Sequence, residues 1–99
     1  MPLFAIIGHD VADSGDKRSK ARAEHLARLH ELLAENRLVI AGPTPIEHGQ
    51  SQMSGSLIVA SFDDLHSAKA WAADDPYIIA GVYSRVDVKP FIQVLPNFD

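Results

Sequence analysis

His25 is the residue of this 99-residue chain whose type and setting point most directly to chemistry. It stands among Ala21, Arg22, Leu26, Leu29, Leu32 and Leu33, which recur at the three-and-four spacing of one helical face, so it should face the core. An imidazole changes charge near neutral pH and works as a general acid–base when a carboxylate orients it. Asp75 supplies that carboxylate. It follows Trp71 by four residues, on the inward phase of a second amphipathic segment and near its end. Acidic groups at a helix C-terminus oppose the macrodipole, so Asp74 and Asp75 are not placed there for helix stability. If the two segments cover one sheet, Asp75 can orient His25 while His25 moves a proton, as a carboxylate does in hydrolytic triads. The plainer alternatives are a core histidine satisfied by backbone and, for Asp74-Asp75-Pro76-Tyr77, an ordinary helix-terminating turn.

The neighbouring candidates are weaker. Arg22 lies one turn before His25, either as a snorkelling surface residue or as an anchor for a carboxylate or phenolate. Ser56 could act as a nucleophile only if it reached His25, and no elbow motif surrounds it. Asp10 is either a turn residue or a pocket acid. His30 falls one step off the apolar stripe, His66 opens the second helical segment, and His9 and His48 sit at a strand end and in a loop. No His-x-x-x-His or similar cluster occurs, so no metal is expected, and no glycine-rich phosphate loop is present. Gly42-Pro43 reads as a strand-ending turn that could also shape a pocket wall.

The elements that would position these residues follow from local pattern. Leu3 to Gly8 reads as a strand. Lys17 to Asn36 reads as a helix, with Asp13, Ser14, Gly15 or Asp16 as its cap. Arg37 to Ala41 is a second strand, ended by Gly42, Pro43 and Pro45, and a polar hairpin loop runs from Glu47 to Ser54. Ser56 to Phe62 is a third strand. Asp63 or Asp64 caps a second helix carrying Leu65, Ala68, Trp71 and Ala72. Val82 to Val88 alternates, with Val82, Ser84, Val86 and Val88 on one face and Tyr83, Arg85 and Asp87 on the other. The order βαββαβ with right-handed crossovers gives a ferredoxin-like α+β fold: a four-stranded antiparallel sheet with both helices on one face. One domain spanning residues 1–99 is expected. The first and third strands are apolar on both faces, so the uncovered face calls for a second copy packed sheet on sheet, although Phe91 to Phe98 could cover part of it.

Composition removes several function classes. Hydrophobic residues make up 46% of the chain, which excludes a disordered polymer. The formal charge of −4, with Lys17, Arg18, Lys20 and Arg22 diluted by Asp13, Asp16 and Glu24, is not a nucleic-acid footprint; the basic cluster reads as the wet face of a helix. The central strands also lack exposed RNA-stacking aromatics. There is no cysteine, so disulfides and thiolate chemistry are excluded and a cytoplasmic location is the simplest expectation. No apolar run is long enough for a membrane span, and the N-terminus has no signal-peptide pattern.

Taken together, several stretches resemble the YciI-like (YCII) family. They are Ala12-Asp13-Ser14, Lys17-Arg18, Arg22-x-x-His25-Leu26-Ala27-Arg28-Leu29, Arg37-Leu38 with Ala41-Gly42-Pro43, Gly55-Ser56, Ala70-Trp71-Ala72 with Asp75-Pro76-Tyr77, Ala80-Gly81-Val82-Tyr83, and Val88-Lys89-Pro90-Phe91. The resemblance runs through nearly the whole chain. It implies a dimeric α+β barrel, similar in architecture to muconolactone isomerase, with the family's paired histidine and aspartate falling on His25 and Asp75. It also implies kinship with dechlorinating, lyase-type enzymes of chlorinated-aromatic breakdown. The hairpin loop, with His48-Gly49-Gln50, departs from the longer and more acidic stretch of some relatives, so substrate identity does not carry over.

These readings lead to a homodimeric, cofactor-free enzyme acting on a small, cyclic or aromatic organic molecule. His25 would shuttle the proton and Asp75 orient it, while Arg22, Ser56, Tyr77 and Asp10 line or support the substrate site. Elimination, isomerisation and hydrolysis all fit. The rival reading is a non-catalytic small-molecule-binding or accessory module.

Overall fold

A computed structural model describes residues 1–96. The described residues form β1 (Leu3–Asp10), α1 (Gly15–Ala34), β2 (Leu38–Pro45), β3 (Met53–Ser61), α2 (Leu65–Ala73), α3 (Pro76–Ile79) and β4 (Tyr83–Phe91). The sheet order is β2-β3-β1-β4 and all three pairings are antiparallel. This is the ferredoxin-like βαββαβ arrangement, with one short helix added before the last strand.

Alternation along the central strands sets the layers. Phe4 and Ile6 of β1 lie opposite Ala60 and Ile58 of β3. All four are buried with Leu29 and Leu32 of α1, Phe62, and Ala68 and Ala72 of α2 in one core. The small residues of α2 let that helix sit close to the sheet, while Trp71 packs at the margin against Phe62. Asp64 caps α2, accepting a hydrogen bond from the Ser67 amide at 2.7 Å.

Four details differ from the sequence pattern. Gly42 and Pro43 do not end β2, which runs on to Pro45. It is an edge strand, where a missing N–H disrupts no ladder on the open side. Asp74-Asp75-Pro76 does end α2, but the same residues begin α3, with Pro76 in its first turn. Asp75 is therefore an N-cap, accepting from the Tyr77 amide at 2.9 Å, and not a C-terminal residue working against a dipole. Tyr83 lies on the helix side of the sheet with Val86. The register slips between His9 and Asp10, whose partners on β4 are Arg85 and Tyr83, and this bulge at Ser84 breaks the alternation. Lastly, Ile92, Val94 and Leu95 are exposed and do not cover the bare face of the sheet; positions 97 and 98 of the Phe91–Phe98 cover lie outside the described residues.

That bare face carries Leu3, Ala5 and Ile7 of β1, with Leu57 (37% exposed) on β3 and Ile40 (59% exposed) on β2.

Candidate functional site

The site gathers around the N-terminal half of α1, where it crosses the ends of β3 and β2 and meets α3. His25 is buried on α1, at 7% exposure, and Asp75 at 3%. His25 Nδ1 lies 2.9 Å and 3.1 Å from the two oxygens of the Asp75 carboxylate. An ionised carboxylate only accepts, so Nδ1 carries the proton and Nε2 of the neutral ring presents its lone pair. Nε2 has no hydrogen-bonding partner among the described residues and is not sealed from solvent. Asp75 is itself held by the Tyr77 amide, so the cap of α3 also aims the imidazole.

Tyr77 forms the floor under the ring. Its phenol is stacked on the His25 imidazole with centroids 3.9 Å apart and planes 6° from parallel. The Arg18 guanidinium lies 5.0 Å from the Tyr77 centroid. Burial pushes the Tyr77 phenol above its usual range, against the opposing pull of the Arg18 and Arg22 charges.

Arg18 is the residue the sequence pattern hides. The run Lys17, Arg18, Lys20, Arg22 reads as a solvated face, yet the Arg18 side chain is nearly buried and engaged through Nε and Nη2. Its Nε donates to Asp10 Oδ2 at 2.6 Å and its Nη2 to Asp10 Oδ1 at 2.8 Å. Nη2 also donates to the Gly55 carbonyl at 2.8 Å and to Ser56 Oγ at 3.0 Å, so its two hydrogens serve three acceptors. Burial disfavours the Arg18 charge, but the hydrogen bond and charge of Asp10 outweigh it and raise its pKa. The available signal was spacing: Arg18, Arg22, His25, Leu29 and Leu32 share the stripe at three- and four-residue intervals.

A cavity of about 260 Å³ opens beside His25. Arg18, Arg22, His25, Ser56 and Tyr77 supply its polar wall, and Leu26, Leu29, Ile58 and the Ala41-Gly42-Pro43 stretch supply its apolar wall. The structure thus brings His25, Asp75, Arg22, Ser56 and Tyr77 to one place. Asp10 does not line this cavity: Arg18 and the Ser14 hydroxyl occupy its carboxylate. Ser56 makes no hydrogen bond to His25.

Two glycines let the strands close under this site. A Cβ on Gly8 would collide with the Tyr83 ring, and one on Gly55 would strike the Gly8 carbonyl oxygen. Among the described residues no three His, Cys, Asp or Glu side chains come together as metal ligands, and no helix is long and apolar enough to cross a membrane.

The ferredoxin-like sheet places the chain among small α+β proteins. Residues 2–92 match the YCII-related domain, and the chain belongs to that family. It is 47% identical over 96 residues to Protein YciI of Escherichia coli O6:H1, covering 93% of this chain and 98% of that protein. It is 45% identical over 95 residues to an uncharacterized protein of Haemophilus influenzae, covering 92% and 97%. Among solved structures it resembles 5-chloro-2-hydroxyhydroquinone dehydrochlorinase (TftG) from Burkholderia phenoliruptrix AC1100, in complex with 2,5-dihydroxybenzoquinone. The TM-score is 0.81 at 26% identity, over 91% of this chain and 93% of that one. A NIPSNAP domain protein from Burkholderia xenovorans shares the fold alone, with a TM-score of 0.52 at 13% identity over the full length of both chains.

Proposed function

We propose that this protein is an acid–base enzyme acting on a small ring compound, with His25 Nε2 as the proton-transferring atom and Asp75 as the group that orients it. The observation that carries the reading is the polarity of the pair. Nδ1 is bound to a buried carboxylate, which leaves Nε2 as the one ring nitrogen available to a ligand. A volume of about 260 Å³ falls below the range for drug-sized ligands and suits a single substituted ring. The stacked Tyr77 and the apolar wall of Leu26, Leu29 and Ile58 suit a flat molecule. Proton transfer by an imidazole needs no cofactor, and elimination, isomerisation and hydrolysis all begin with such a step.

The similarity to TftG makes dehydrochlorination of a chlorinated hydroquinone the first reaction to try. Chloride release from a panel of chlorinated hydroquinones and related ring compounds should be measured for the parent and for His25→Gln. The reading requires turnover that His25→Gln removes while the melting curve is kept. Turnover unchanged in the variant, or a bound ligand recovered chemically intact, would replace it with a binding module.

We further infer that a second copy covers the open sheet face. Ile40, Leu57 and Ile7 form a contiguous apolar surface there, which a sheet-on-sheet homodimer would bury. Light scattering on the purified chain tests this directly: a dimer mass is expected, and a monomer mass at micromolar concentration rejects it.

A further inference from the structure

The segments that carry His25 and Asp75 are joined by a second contact, away from the cavity. Arg28 follows His25 by one turn on α1. Its Nη2 donates to the Trp71 carbonyl at 2.8 Å, and its guanidinium carbon lies 4.2 Å from the centroid of the Trp71 ring. Trp71 is itself held against Phe62 of the core, with centroids 5.6 Å apart. Among the described residues, the Arg28 bond is the hydrogen bond that joins α1 to α2.

The Trp71 carbonyl is open to Arg28 because the chain leaves the helix just beyond it. In a continuing helix this carbonyl would accept from the Asp75 amide, four residues on. Here the Asp75 amide donates to the Ala72 carbonyl instead, at 3.2 Å. Asp75 has extended backbone, with φ −60° and ψ 130°, as the residue before a proline prefers. That conformation makes it the N-cap of α3 and presents its carboxylate to His25. The same departure orphans a carbonyl in the last turn of α2, where a cation is the favoured partner. Arg28 thus replaces the bond that is lost where the chain breaks toward Asp75.

Stability alone accounts poorly for an arginine here. Its Nη1 is buried with no acceptor among the described residues, and none of their carboxylates forms an ion pair with it. Nor does it line the cavity, so it is not placed to meet a ligand. We infer that Arg28 is a positioning residue for the His25–Asp75 pair: gripping the Trp71 carbonyl and ring, it holds the end of α2 against α1 and fixes the point from which Asp75 reaches His25 Nδ1. Two ties run side by side between the same segments, His25 to Asp75 and Arg28 to Trp71, and the second keeps the first in register. The consequence for turnover rests on the acid–base reading of His25; the consequence for the tautomer of the ring does not.

The test reads that tautomer from imidazole nitrogen-15 shifts of the full chain, with the ring neutral. Arg28→Met keeps the apolar stem and removes the donors. It should turn the Nδ1-protonated ring of the parent into a mixture of tautomers, as Asp75→Asn should. Arg28→Lys can reach the carbonyl but cannot also lay a planar group on the indole, so it should restore part of the parent signal. In the Asp75→Asn background, Arg28→Met should change the tautomer ratio no further, because the aim it maintains is already lost. Chloride release by Arg28→Met should show kcat lowered by about 10- to 100-fold with KM nearly unchanged, the scale of a slightly misplaced catalytic group. Melting curves confirm that each variant is folded, and Arg28→Gln, shorter and uncharged, serves in its place where Arg28→Met does not fold. A parent-like tautomer in the folded variant, even with a lowered melting temperature, or a further shift on top of Asp75→Asn, overturns the inference. His25→Gln keeps the two claims apart. If it loses turnover while Arg28→Met keeps the parent tautomer and kcat, the positioning role is wrong and the acid–base reading stands. If Arg28→Met shifts the tautomer while His25→Gln turns over normally, the positioning role stands and the acid–base reading falls.

Discussion

The two faces of the sheet are built from alternate residues of the same strands, yet they treat polarity in opposite ways. On the helix-covered face, Phe4, Ile6, Ile58 and Ala60 make a dry core, and the ionisable groups admitted beside it come in tight pairs, His25 with Asp75 and Arg18 with Asp10. On the open face, apolar Ile40 and Leu57 stand exposed, and Asp87, 2.9 Å from His9 and 3.8 Å from Arg85, is substantially solvated. Solvated pairs contribute little to stability. Buried pairs are no better a source of it, because desolvation offsets most of their attraction. Charges kept on the dry face are therefore best explained by what they position, and apolar side chains kept on the wet face by what they meet.

The strongest break in this comparison is on the dry face. His25→Gln should lower turnover by about 100- to 10,000-fold, the usual contribution of a general acid–base, with little change in melting temperature. Steady-state chloride release checks it, and a loss below threefold would show that the pair has only a structural role. Next is Arg18→Met. It leaves the Asp10 carboxylate, whose side chain is 1% exposed, without its cation, and should cost about 3–5 kcal/mol in urea unfolding. A cost under 1 kcal/mol would mean that Asp10 is solvated in solution.

The open face is broken more gently. Ile40→Lys puts a charge into the proposed interface without touching the core, since Ile40 is 59% exposed. It should convert a dimer to a monomer by light scattering and leave the circular dichroism spectrum intact. A dimer that survives the change would move the interface elsewhere.

The smallest effect concerns Tyr83, whose buried hydroxyl has no hydrogen-bond partner among the described residues. Burial pushes its phenol from 10.0 up to about 12. Above pH 10 the unfolded chain loses this proton while the folded chain keeps it, so stability is unaffected below 10 and falls as pH rises toward 12. Tyr83→Phe should cost little at neutral pH and should flatten, without abolishing, that alkaline decline, because the Tyr77 phenol is raised as well. Melting temperatures from pH 8 to 12 check it; an unchanged decline would mean that Tyr83 is hydrated.

The legible and illegible parts of the sequence divide along physical lines. The strand order and the inward turn of His25 could be read because burial repeats with the period of each element: Leu29 and Leu32 mark the face of α1, and Phe4 and Ile6 mark the face of β1. Asp75 could be placed beside His25 as the group that orients it, but not recognised as the N-cap of α3. Asp75-Pro76 reads equally as the stop of one helix and the start of the next, and only the chain path decides. The face of Tyr83 was lost because a bulge at Ser84 adds one residue and inverts the alternation. Arg18 was lost because Gly55 and Ser56 lie far off in sequence and Asp10 is on another element, and a cation next to Lys17 and Lys20 looks solvated until a buried carboxylate is brought to it.

The most direct test of the account is the tautomer of His25, read from imidazole nitrogen-15 shifts in long-range proton–nitrogen spectra under conditions where the ring is neutral. The account predicts the Nδ1-protonated form in the parent, with Nε2 unprotonated and shifted by added 2,5-dihydroxybenzoquinone, and a mixture of tautomers in Asp75→Asn. An Nε2-protonated ring in the parent would mean that Asp75 does not aim the imidazole, and the proton-transfer role assigned to His25 would be contradicted.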